Sequence, residues 1–337
     1  MSSRAQQIHS QAIIVDGHND SLVLRRAKND PMDFGPPNPK NHVDLPRLKQ
    51  GGMTALFSYV GGDDLHTSLE LWDAIYYHLE TYPADFTLAL RADDIRQAKR
   101  AGKIAFLGQL ESCACLGNSL RLLRMQHRLG LRIANLTHGE GQDGNESALQ
   151  GDASQFDYCT AADREAARKE MKGLTDFGRE VVQACNEMGL IIDLAHANDR
   201  TFYETVKLSE KPCIFSHGCV FAVSPHWRGL TDDQIKALAA KGGVMAVAFY
   251  TKFIHKDEPS MEKLMDQVEH VITLVGPDHI AFGSDYDGLP EEEIPIPPHV
   301  GRLGEFTEAL VGRGFDEGTI LKVLGGNFLR VIAEVCG

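Results

Sequence analysis

The chain is short of positive charge. In 337 residues, 34 Lys and Arg stand against 47 Asp and Glu, a formal charge of −13 before its 14 histidines are counted. That deficit argues against a nucleic-acid partner, because such binding rests on cations that neutralise phosphates. It also disfavours an anionic membrane surface. Long apolar runs are missing as well: no stretch approaches the roughly 18–20 residues of a spanning helix. The polar residues 1–11 lead only into a short apolar run at 12–15, well under the secretory core of about 7–15 apolar residues. No hydrophobic tail of the lipid-anchor kind closes the sequence. These absences predict a soluble, cytoplasmic protein with no membrane partner. Cysteines are few and odd in number, at 113, 115, 159, 185, 213, 219 and 336. Several lie in apolar runs, so they read as small buried hydrophobes and not as a disulfide framework. Asn135-Leu-Thr and Asn145-Glu-Ser match the glycosylation pattern, but without an export signal they are chance matches. Walker loops, the G-x-G-x-x-G fingerprint and the G-x-S-x-G elbow are all missing, which leaves nucleotide and serine-hydrolase readings without their usual support.

What is present is enough apolar material for a large core, 43% hydrophobic against 24% charged, in a length that permits one large domain or two. Eight β-rich apolar runs stand out, at 12–15, 54–59, 104–110, 132–136, 190–194, 213–215, 244–249 and 279–282. Most are followed by helical periodicity. Residues 119–129 place Leu120, Leu123, Met125 and His127 near a 3.6 period before Gly130. Thr175 is a suitable N-cap for a helix that carries Val181, Val182, Cys185 and Met188 and stops at Gly189. Thr231-Asp-Asp-Gln resembles a capping box opening a helix at 235–240. This alternation predicts an α/β fold, a single (β/α)8 TIM-like barrel over residues 1–337. A doubly wound open sheet is the structural alternative. The Pro-rich stretches 31–46 and 289–298 and the polar segment 139–155 read as loops, and no repeat is evident.

The informative residues fall at the downstream ends of these runs. Asp16-Gly17-His18-Asn19-Asp20 follows the first, Glu111 the third, His138 the fourth, His196 the fifth, His217 the sixth and Asp285 the eighth. In a barrel all those ends converge on the face where active sites form. Crowded carboxylates repel and raise one another's pKa, whereas divalent cations neutralise them and accept neutral imidazoles too, so metal binding is the natural reading. His18-x-Asp20 lets two side chains reach one ion, and a carboxylate such as Glu111 can bridge two. Mixed N/O ligation suits Zn²⁺, with Mn²⁺, Co²⁺ or Fe²⁺ as competitors. Cys113-x-Cys115 reads more simply as small-residue packing than as thiolate ligation, and residues 226–228 fit an ordinary surface loop.

These motifs resemble the renal (membrane) dipeptidases, zinc enzymes of the amidohydrolase-like barrels. The resemblance is carried by residues 15–21 (Val-Asp-Gly-His-Asn-Asp-Ser), Leu136-Thr-His138, residues 173–180, Ile192-Asp-Leu-Ala-His196, Phe215-Ser-His217, residues 283–288 and Gly326-Asn-Phe-Leu-Arg330, nearly the whole chain. It implies a binuclear site, with His18 and Asp20 on one Zn²⁺, His196 and His217 on a second, and Glu111 bridging both. It also implies that His138 and Arg228 bind substrate and that Asp285 is the strand-eight acid. The implied activity is hydrolysis of small dipeptides, L,D-dipeptides among them, in a homodimer. Two ions sharing a hydroxide supply the nucleophile, with His138 stabilising the oxyanion and Asp285 moving the proton. Competing readings are another binuclear amidohydrolase, acting on a lactone, cyclic amide or phosphoester, and a non-catalytic barrel that binds metal or peptide.

Overall fold

The computed structural model describes residues 1–62, 64–138, 158–169, 171–289 and 293–337. Eight strands form one parallel sheet: β1 (Val15–Asn19), β2 (Ala55–Tyr59), β3 (Ile104–Glu111), β4 (Leu131–Asn135), β5 (Ile191–Asp193), β6 (Ile214–Phe215), β7 (Val244–Val247) and β8 (Ile280–Phe282). Each pairs with the next in sequence order. The sheet curls until β8 meets β1, where the Asp20 N–H donates to Tyr286 O at 3.0 Å and the Asp285 N–H donates to His18 O at 3.2 Å. That seam decides for the TIM-like barrel and against the open sheet. Glycine is required on both of these strands' paths: a Cβ on Gly283 would lie 1.8 Å from Ser216 O beyond β6, and one on Gly17 would lie 2.7 Å from the Phe328 ring.

Seven of the eight apolar runs become strands within a residue or two of their expected limits. The first is shifted. β1 starts only at Val15, so His18 lies inside the strand instead of beyond it. A short extra strand, Phe86–Leu88, pairs with the lower half of β3, whose upper half pairs with β4. Gly108 lies at this changeover, and a Cβ there would come 2.3 Å from Trp72. Residues 31–46 are not wholly loop, because Asp44 caps a helix at Leu45–Gln50 with Pro46 in its first turn. Residues 139–155 lie outside the described residues.

The helices follow their capping chemistry. Thr175 accepts from the Gly178 N–H and Gly189 ends the helix Asp176–Met188 in the left-handed conformation, with Val181, Val182 and Cys185 buried. Thr231 and Gln234 form a reciprocal capping box on Asp232–Ala240. Leu120–Leu129 is helical as expected, but it buries Leu123 and Gln126 while Met125 faces solvent. All seven cysteines are free thiols, six of them buried. Among the described residues no helix is long and apolar enough to cross a membrane.

Alternate strand residues fill the barrel in layers. Ala55, Phe57, Ala105, Leu107, Ile133, Ile191, Ile214, Val244, Ala246 and Ala281 form one apolar cluster with Phe328 and Ile332 of the C-terminal helix Asn327–Val335. Phe328 packs on Phe57 with ring centroids 4.9 Å apart. Their intervening neighbours, such as Leu56, Phe106, Met245 and Phe282, face the helices in a second cluster. Two residues further along the inward rows the character changes. Leu107 is followed by Gln109 and Glu111, Ile133 by Asn135, and Ile191 by Asp193.

Candidate active site

At the C-terminal ends of the strands, one oxygen organises the cluster. Glu111 Oε1 lies 2.9 Å from His196 Nε2, 3.3 Å from His18 Nε2 and 3.4 Å from His217 Nε2. His18 Nε2 is also 3.2 Å from Asp20 Oδ2, and the Nε2 atoms of His196 and His217 are 3.0 Å apart. The rings pack closely, His18 stacked on His217 at 4.0 Å and His138 edge-on to His196 at 4.4 Å. Three overlapping triads offer atoms within 4.8 Å of one another: His18, Asp20 and Glu111; Glu111, His138 and His196; and His18, His217 and Asp285. Every residue expected at a strand end is brought to this one mouth. All are buried except His138, which lies exposed at its lip.

Local backbone makes this convergence possible. Asp20 sits at the N-cap of helix Ser21–Ala27. His196 and Asp285 occupy the left-handed region at φ +66° and +60°, which costs a non-glycine residue about 1–3 kcal/mol and persists where the surroundings enforce it. Gly288 closes over the carboxylates, since a Cβ there would lie 2.2 Å from Asp20 Oδ2 and 2.5 Å from Asp285 Oδ1.

Burial and neighbouring charge set the protonation of the cluster. Burial opposes a charged His18, but Glu111 and Asp20 outweigh it and raise that imidazole well above its usual pKa. Burial opposes charge on Glu111 too, yet His18 and His138 hold its carboxyl well below the usual range. Burial keeps His196 and His217 far below the ordinary histidine value, helped by Arg228 at the first and His18 at the second. Both therefore stay neutral, with a lone pair to give. Burial, with the charges of Asp20 and Glu111, raises Asp285 to about 7 against the pull of His18.

The donor set fits a divalent metal. Carboxylates and neutral imidazoles on overlapping triads match N/O ligation, and Asp20 Oδ1 is a buried oxygen with no hydrogen-bond partner among the described residues, which is costly in a protein interior. The cysteines nearby do not contribute. The Cys113 thiol donates to Asn135 O at 3.3 Å, and burial pushes Cys115 up to about 12, away from the thiolate a ligand needs.

A cavity of about 530 Å³ opens over the cluster, walled on one side by Arg228, Tyr250, Lys252, Phe253 and Leu289, within the size of small-molecule sites. Residues 226–228 are no surface loop, since His226 and Arg228 are buried at 1% and 4% exposure. The Arg228 guanidinium lies over the Phe253 ring at 5.5 Å and donates to His217 O at 3.4 Å. Its carrier is pinned from behind: Arg164 pairs with Asp199 through Nε at 3.0 Å and donates from Nη1 to Gly229 O at 2.6 Å. The Tyr250, Lys252 and Phe253 wall has no signal in the sequence, because the apolar run 244–249 ends without a metal-competent residue. Lys252 pairs with Glu293 at 3.3 Å across the rim.

The profile of the membrane dipeptidase family, peptidase family M19, matches residues 2–336. Dipeptidase tcpJ of Claviceps purpurea (strain 20.1) is 32% identical over 341 residues, covering 95% of this chain and 76% of its own length. Among solved structures, dipeptidase AC, a metallopeptidase of family M19, superposes with a TM-score of 0.81 at 25% identity, covering 97% of this chain and 99% of its own. A metallopeptidase from Rhodobacter sphaeroides, liganded with a phosphinate mimic of the dipeptide L-Ala-D-Ala, gives 0.81 at 24% identity over 96% of this chain and 100% of its own. Motifs, barrel and buried cluster converge with these matches: the chain belongs to the membrane dipeptidase family and is a metal-dependent dipeptidase.

Proposed function

We propose that the chain is a binuclear zinc dipeptidase, one catalytic barrel over residues 1–337, acting on small dipeptides that include L,D-dipeptides. The carrying observation is Glu111 Oε1 held within 2.9–3.4 Å of three imidazole nitrogens from three different strands. His18 and Asp20 would hold one Zn²⁺, His196 and His217 the other, and Glu111 would serve both. When bound, two zinc ions supply Lewis-acid polarisation of the peptide carbonyl and a water acidic enough to attack it at neutral pH.

The remaining steps belong to the chain. Arg228 presents a planar cation suited to the substrate's terminal carboxylate, stiffened by Phe253 beneath it. His138, exposed at the lip beside His196, donates to the carbonyl oxygen as charge builds there. Asp285 lies at the same mouth near His18 and His217. Its carboxylate takes the proton of the attacking water and returns it to the departing amine, so one water is consumed and two amino acids leave. Inclusion of L,D-dipeptides is supported by the phosphinate mimic of L-Ala-D-Ala on the Rhodobacter sphaeroides relative. The proposal includes a homodimer, which rests on the family resemblance.

The test is Asp285→Asn in metal-replete protein, assayed on L,L- and L,D-dipeptides. Metal content stays at the wild-type level while kcat falls about 10²–10⁴-fold, the usual worth of a general acid–base group. Near-normal turnover would remove Asp285 from the reaction.

A further inference from the structure

Beneath the ligand cluster lie two carboxylates that the chemistry above does not use, Asp16 and Asp193, both at 0% exposure. Buried carboxylates are costly unless their oxygens are hydrogen-bonded, and these are wired to specific partners. Asp193 Oδ1 accepts the N–H of Ala195 at 3.1 Å and of Ser216 at 2.9 Å, the residues directly before His196 and His217. Its Oδ2 accepts from Gln109 Nε2 at 2.9 Å and Asn135 Nδ2 at 3.4 Å. With its NH₂ committed to Asp193, Gln109 turns its Oε1 to His18, whose Nδ1–H donates to it at 2.9 Å. That bond leaves His18 Nε2 for the Glu111 and Asp20 side. Asp16 serves the other flank: Oδ1 accepts the Ser284 N–H at 2.7 Å and the His18 N–H at 3.4 Å, and Oδ2 accepts the Ser284 hydroxyl at 2.6 Å. Ser284 directly precedes Asp285.

We propose that Asp193 and Asp16 are positioning residues that preset the metal site, Asp193 governing His18, His196 and His217, and Asp16 tying Asp285 to β1. The inference rests on the reading of those histidines as ligands. The need is local. β5 and β6 are three and two residues long, so the strand ladder ends before it reaches His196 or His217, and His196 is held in a left-handed conformation. A carboxylate oxygen can accept two backbone N–H groups at once, whereas an amide NH₂ in its place would face those donors with another donor. Such supporting bonds orient ligands and fix tautomers, and their loss typically weakens metal binding about 10–100-fold.

A merely structural role would lower the stability of the apo-protein and leave the zinc affinity of the folded molecule unchanged, so both are measured. Full-length apo-protein is titrated with Zn²⁺ against a chromophoric chelator, with thermal unfolding followed in parallel. Asp193→Asn is expected to weaken zinc binding about 10–100-fold, and Gln109→Leu, which cuts only the His18 branch, about tenfold. Ser284→Ala leaves zinc affinity unchanged and lowers kcat more than it moves KM. If Asp193→Asn does not fold, Gln109→Leu and Ser284→Ala decide. Wild-type zinc affinity in folded Asp193→Asn, or in Gln109→Leu where Asp193→Asn does not fold, overturns the proposal. His18→Ala separates the two layers of the argument. If it binds zinc like wild type, the ligand reading falls; if it is weakened while the deciding variant is not, only the positioning role falls.

Discussion

The two mouths of this barrel are built from the same strands and have opposite chemistry. At the N-terminal end, Phe57, Leu107, Ile133 and Ile191 meet Phe328 and Ile332 in an apolar plug. Two residues along the same inward rows, Gln109, Asn135 and Asp193 are equally buried and entirely polar. Apolar burial at the lower end stabilises without regard to direction, at about 1.5–3 kcal/mol per large side chain. Polar burial at the upper end is tolerated only where each group meets a partner of defined geometry. The lower mouth therefore depends on filled volume, whereas the upper one depends on the direction of each hydrogen bond. Stability belongs to one end and chemistry to the other.

That division can be broken by experiment. The largest effect is expected from metal removal. Dialysis against a chelator abolishes dipeptide hydrolysis, added Zn²⁺ restores it, and far-ultraviolet circular dichroism stays essentially native; a barrel that unfolds with its metal would tie the two ends together. Next is Phe328→Ala, which opens a cavity between Phe57 and Gly17 and lowers the unfolding free energy by about 3–5 kcal/mol in urea titrations. Zinc affinity measured on the folded fraction stays at the wild-type level, and its loss would mean that the plug supports the ligands directly. Arg228→Met removes a charge-assisted contact worth about 1.5–3 kcal/mol. It lowers kcat/KM roughly tenfold to a hundredfold, mainly through KM, whereas a fall confined to kcat would place Arg228 in the transition state. The smallest effect is Thr231→Ala, which removes the cap of helix Asp232–Ala240 at a cost of about 1 kcal/mol in stability, with kinetics unchanged.

Much of the site was legible because each of its groups follows an apolar run. His18, Asp20, Glu111, His138, His196, His217 and Asp285 interrupt hydrophobic segments with residues that strands do not favour, and a parallel barrel gathers all such ends on one face. Asp16 stands in the first motif without a role of its own, and Gln109 and Asp193 carry no comparable signal: polar residues inside or beside a β-rich run look alike whether they face helices, solvent or the barrel axis. Residues 226–228 illustrate the opposite error. A polar Pro-His-Trp-Arg stretch has the composition of a surface loop, yet Phe253 packs on both His226 and Arg228 and the two are buried. Met125 faces solvent because, at about 100° per residue, it lies about 160° round the helix from Leu123, and the side carrying Leu123 and Gln126 is the buried one, with the Trp72 indole N–H donating to Gln126 Oε1 at 2.5 Å.

The eight barrel strands, several of the caps that start and stop helices, and the identity of the metal-competent groups can be read along the chain. These depend on local periodicity, on hydrogen-bonding side chains at fixed offsets and on residue chemistry, all of which are written along the chain. Tertiary packing alone sets that β8 closes on β1, that one oxygen of Glu111 faces three imidazoles, and that Asp193 reaches Gln109 and Asn135 of β3 and β4 and Ser216 after β6 at once. Those relations join residues up to 268 positions apart, as Asp16 and Ser284 are. They depend on strand register and on the direction of each side chain, which are fixed when the barrel closes and its interior packs.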